Sequence, residues 1–89
     1  MKLTIEVTQQ DIDKGIKEDA SRCPIAKATR RALQGIKDVE ISSEGSFTWS
    51  NKPYQFRLTK TMEKFMNKFD ELGKKGVKPF KNVVNATEY

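Results

Sequence analysis

The stretch from Asp38 to Leu58 constrains the chain most, because its apolar residues fall on alternate positions in three short runs separated by turn formers. Val39 and Ile41 alternate with Asp38, Glu40 and Ser42; Phe47 and Trp49 with Ser46, Thr48 and Ser50; Tyr54, Phe56 and Leu58 with Gln55 and Arg57. Side chains in a strand project to opposite faces with period two, so each run has one apolar and one polar face. Ser43-Glu44-Gly45 and Ser50-Asn51-Lys52-Pro53 supply the turns. The expectation is a three-strand antiparallel meander with one buried face. Such a sheet must be covered by something else in the chain.

Two segments have the right period to cover it. Met62, Phe65, Met66, Phe69 and Leu72 fall at i, i+3, i+4, i+7 and i+10, a stripe about 120° wide on a helix that Thr59 or Thr61 begins and Gly73 ends. Pro24 suits the first turn of another helix over 24–34, where Ile25, Ala26, Ala28, Thr29, Ala32 and Leu33 share one side. Lys2 to Val7 alternates as a strand, and Thr8 caps a short helix that stops at Gly15. Val77 to Val84 reads as a final strand anchored by Phe80. The expected fold is α+β: an antiparallel sheet of four to five strands with two main amphipathic helices packed on one face. Residues 1–84 form the single domain and residues 85–89 a flexible tail.

With 89 residues there is room for one modest core. No apolar run is long enough to cross a bilayer, MKLTIEVTQQ lacks a signal-peptide core, and a lone Cys23 has no internal disulfide partner. These features suggest the cytoplasm, with no membrane partner. The sequence does not specify an oligomeric state.

The chain has no His, which removes the commonest general base and metal ligand. It contains no phosphate-loop, dinucleotide or nucleophile-elbow motif, and Gly73-Lys74-Lys75-Gly76 is better read as a helix stop. The expectation is a protein that is not an enzyme and uses no cofactor or metal. Cys23 leaves two readings open: a thiol activated by a helix N-terminus beside Arg22, or a small residue packed behind Pro24.

Charge gives the positive lead. Of 17 basic residues, five lie within 20–37, where there is no acid, and nine within 45–81 against three acids. On the 60–72 helix, Lys60, Lys64 and Lys68 fall on one arc opposite the apolar stripe, and Lys75 continues it; Lys27, Arg30 and Arg31 do the same on the 24–34 helix. If the two helices share a sheet face, these six residues could form one cationic surface able to hold phosphates without reading sequence. Trp49 and Tyr54, beside the Asn51 turn, are candidate anchors for a protein partner.

The run Thr8…Asp11-Ile12…Gly15, then Cys23-Pro24-Ile25-Ala26…Ala28, with Phe56-Arg57-Leu58, Phe69-Asp70 and Pro79-Phe80, resembles a loose family of small uncharacterised phage and prophage proteins. The likeness covers most of the chain. Members often carry a second Cys three residues before the Cys-Pro step; here that residue is Ala20, so a paired-cysteine role does not carry over. The resemblance implies an accessory protein that binds a host protein complex stoichiometrically, for example to inhibit a nucleic-acid-handling or defence system. The alternative is direct, sequence-tolerant DNA or RNA binding.

Overall fold

Alternating burial in the strands organises the whole molecule. The computed structural model describes residues 1–89 and arranges them as β1 (Lys2–Val7), α1 (Gln9–Lys14), α2 (Pro24–Ala32), β2 (Lys37–Ile41), β3 (Glu44–Trp49), β4 (Lys52–Arg57), α3 (Lys60–Leu72), a 3₁₀ turn (Gly73–Gly76) and β5 (Phe80–Glu88). All strand pairs are antiparallel, in the order β1-β5-β4-β3-β2. The meander therefore forms, and β5 inserts between it and β1.

Register places Leu3, Ile5, Val7, Val84, Ala86, Phe56, Phe47 and Ile41 on one face, and all eight are buried. On the opposite face Lys2, Thr4, Glu6, Lys81, Val83, Asn85, Arg57 and Glu44 are exposed, so no helix covers it. Both main helices lie on the inner face. Helix α2 packs against β1 and β2, the two edge strands, so the sheet curls around it. Helix α3 contributes Met62, Phe65 and Phe69 to the same 19-residue apolar cluster, and Phe65 meets Phe80 of β5 with ring centroids 5.0 Å apart.

Local chemistry sets the boundaries. Thr8 caps α1 reciprocally with Asp11, and the Thr59 hydroxyl accepts from the Met62 amide at 3.1 Å to start α3. Ser50 and Asn51 both adopt positive φ, 53° and 62°, as a two-residue hairpin loop requires. Lys52 and Pro53, expected in that turn, are the first residues of β4.

Three further boundaries differ from expectation. Gly45 lies inside β3, paired with Phe56, and glycine is required there because a Cβ would run into the Phe56 ring; the turn before it is Ser42-Ser43. The predicted 24–34 helix stops at Ala32, with Leu33 already extended. The predicted strand 77–84 begins only at Phe80, after Pro79, which has no amide hydrogen to donate. That strand then runs through the predicted tail. Asn85 pairs with Lys2, Ala86 with Phe56, Thr87 with Gln55 and Glu88 with Tyr54, and the Tyr89 amide donates to the Pro53 carbonyl at 3.2 Å. Residues 85–88 are thus part of the sheet.

Candidate binding surface

The six candidate cations separate into two groups with different roles. Arg31, at the end of α2, is a structural residue. Its guanidinium donates to both Asp11 carboxylate oxygens, at 2.8 and 2.6 Å, and to the Glu6 carbonyl at 2.9 Å. The Asp11 side chain is 6 % exposed and that of Arg31 is 52 %. Asp11 also accepts from the Thr8 amide at 2.9 Å, so one carboxylate joins the α1 cap, α2 and the β1 edge. Burial pushes the Asp11 carboxyl upward, but the Arg31 hydrogen bonds, the Thr8 amide and the Arg31 charge outweigh it and hold the group below its ordinary range. The same contact raises Arg31. Arg30 is tied as well, donating to the Ser21 carbonyl, and Lys27 is half-buried.

Lys60, Lys64 and Lys68 form the other group. All three are exposed, and none has a carboxylate within 4.0 Å; the ion pairs of the molecule are Arg31–Asp11 and Lys52–Glu88. The two helix faces do not merge. A cleft lined by Glu18, Asp19, Cys23, Ser42, Met66 and Asp70 runs between the start of α2 and one flank of α3. There the Glu18 amide donates to the Asp70 carboxylate at 3.0 Å. The expected single cationic surface is therefore not continuous: Arg30 and Arg31 are tied within the fold, and carboxylates of Glu18, Asp19 and Asp70 line the cleft between the start of α2 and α3.

The lysine flank of α3 gains partners from a segment that sequence reasoning left out. Thr61, Lys64, Phe65 and Lys68 face Gly76, Val77, Lys78, Pro79 and Phe80 across a groove of about 400 Å³. Lys78 is exposed on the far wall, and Val77 and Phe80 are half-buried on the floor. The available signal was Lys78-Pro79-Phe80, a cation beside an aromatic immediately before a strand. Lys75, assigned to the helix arc, belongs to the 3₁₀ turn.

The aromatic candidates close one end of the core. Trp49 is half-buried, its indole N–H donates to the Gln34 carbonyl at 3.0 Å, and its ring lies over Gly35, whose φ is 95°. Tyr54 meets Trp49 edge-on at 6.2 Å and stacks on Phe47 at 5.4 Å. Both rings support the fold first and expose only part of their surface. Cys23 is buried, and burial, with Asp70 and Asp19 adding to it, pushes its thiol up against the opposing α2 amides. Burial in the apolar cluster supports the packing reading of Cys23, and the raised pKa agrees with it.

No helix is long and apolar enough to cross a membrane. Compared with known proteins, the chain matches no family model, no curated protein and no solved structure.

Proposed function

We propose that the protein is a non-catalytic accessory factor, encoded by a phage or mobile element, that binds an acidic surface of a host protein complex with fixed stoichiometry. One observation carries this reading: the flank of α3 presents Lys60, Lys64 and Lys68 to solvent without a single ion-pairing carboxylate. Cations without an internal ion pair have none to break on binding, and they accelerate encounter with a negative partner. The complex acted on is one that handles nucleic acid or defends the host, which fits a cationic competitor for an acidic or strand-binding surface.

The test is capture from host lysate by the tagged protein, with and without nuclease. A partner retained at constant stoichiometry after nuclease, and lost with Lys64→Glu/Lys68→Glu, supports the proposal. Retention by the charge-reversed variant contradicts it.

Direct nucleic-acid binding is the second reading, favoured by the spacing of the same lysines. Lys60 and Lys68 are about 12 Å apart along the helix at 1.5 Å per residue, enough to follow a phosphate backbone. It requires affinity for an oligonucleotide that falls linearly with salt on logarithmic axes; the absence of any complex at low salt rules it out.

A further inference from the structure

Beyond its charge, the α3 flank has shape. The groove between α3 and the segment leading into β5 has an apolar floor and a basic rim: Phe65, Val77, Pro79 and Phe80 below, Lys64, Lys68 and Lys78 around it. Phe80 is half-buried and braced from beneath by Phe65, with ring centroids 5.0 Å apart and planes tilted by 55°, so its exposed part is held in place. Gly76 forms one end. A Cβ there would lie 2.7 Å from the Leu72 side chain, so the turn and the helix end are in direct contact.

We infer that this groove docks an acidic segment of the partner protein, which places one aromatic or leucine side chain on the Val77–Phe80 floor and carboxylates against Lys64, Lys68 and Lys78. The inference rests on the binding role proposed above and names its partner chemistry. Charge complementarity selects the sign, since none of the three rim lysines has a carboxylate within 4.0 Å. The floor selects the class. A nucleic-acid strand gains from flat aromatic faces on which successive bases stack, whereas here a single bent pair of rings and two aliphatic residues make a pit. Such a pit suits one buried anchor surrounded by charge-paired neighbours.

The opposite flank of α3 carries Glu63 and Asp70, and Glu18 lies beside Asp70. Glu71, three residues after Lys68, falls on the lysine arc itself, so an acidic segment is drawn to the groove edge at Lys64, Lys68 and Lys78 and away from Glu63, Asp70 and Glu71.

The test is a fluorescence-polarisation titration of the intact protein with three labelled probes. These are a peptide of acidic residues flanking a Leu-Phe pair, the same peptide with Ser in place of Leu and Phe, and single-stranded oligothymidylate. The Leu-Phe peptide is expected to bind about tenfold more tightly than the Ser peptide. Val77→Glu and Lys78→Glu are each expected to weaken it about tenfold; Lys78 is exposed, so its variant keeps the parental melting temperature, whereas Val77 packs against the core and its variant is compared only after circular dichroism shows it folded at the assay temperature. Lys60→Glu, on the flank but outside the groove, is expected to change it much less.

Equal affinity for the two peptides, or tighter binding of oligothymidylate, overturns the inference. Losses with Lys60→Glu and Lys64→Glu but none with Val77→Glu overturn the groove alone and leave the charged flank standing. Indifference to every lysine variant overturns both. Concentration-dependent self-association that blocks the peptide, with the Glu63–Asp70 flank of a second copy seated on the lysines, also overturns it.

Discussion

Replacing Arg31 by Ala separates its structural role from the surface role that charge patterning suggests. The substitution removes two hydrogen bonds to a carboxylate that is 6 % exposed, and one to the Glu6 carbonyl at the edge of β1. Breaking a buried ion pair by removing one partner typically costs about 3–5 kcal/mol, because the remaining charge stays desolvated. Two features reduce that here. Asp11 keeps its hydrogen bond from the Thr8 amide, and the half-exposed Arg31 lies where water can replace part of it. About 2 kcal/mol is the resulting estimate, equivalent in a domain of this size to a fall of about 8–16 °C in Tm. Urea titration followed by circular dichroism measures it, with Lys68→Ala as control, expected within about 0.5 kcal/mol of the parent. Arg31→Lys should recover only part of the loss, since an ammonium cannot match the two-oxygen geometry. A cost for Arg31→Ala no larger than the control would mean that the contact with Asp11 contributes nothing and that Arg31 belongs to the solvent-facing surface.

Other outcomes follow from the same contacts. Asp11 is held below its ordinary pKa of 3.8, so its contribution is complete above that value and is lost as pH falls through the lower, folded one; Asp11→Asn should flatten the acid limb of the stability curve, measured by Tm from pH 2 to 6. Gly45→Ala should cost about 2–3 kcal/mol by forcing the Phe56 ring aside, and Gly45→Ala/Phe56→Leu should recover part of it in denaturant titration. Cys23, buried and with its thiol pushed up, should react with a thiol-selective reagent far more slowly than the unfolded chain does. Rapid labelling of the native protein would contradict that placement.

The periodic elements were legible in the sequence because their pattern is local. The 2.0 and 3.6 periods of Phe47–Leu58 and Met62–Leu72 name their own buried faces, and Thr8 and Thr59 act within three residues of themselves. What the sequence concealed depends on distant partners. Nothing near Arg31 points to Asp11, 20 positions away, so the arginine looked like solvated surface. Residues 85–88 have little apolar character: Ala86, opposite Phe56, is the one buried side chain among them, and strand pairing with β1 and β4 holds the rest. Gly45 resembles a turn residue until the Phe56 ring is placed over it. The candidate site divides in the same way. The Lys60–Lys68 arc follows from helical spacing, whereas its meeting with Lys78 and Phe80 depends on how the chain returns after Gly73.

The central claim is that the protein works through the lysine flank of α3, and the most direct measurement compares two folded variants in one assay. Lys64→Glu/Lys68→Glu and Lys2→Glu/Lys37→Glu change the net charge equally, but the second pair lies on the two edge strands, β1 and β2. Nuclease-treated host lysate is passed over each protein and the stoichiometry of the retained partner is determined. The first pair is expected to abolish capture and the second to leave it near the parental level. Equal loss from both would mean that net charge alone governs association, and undiminished capture by the first would mean that binding occurs elsewhere on the molecule.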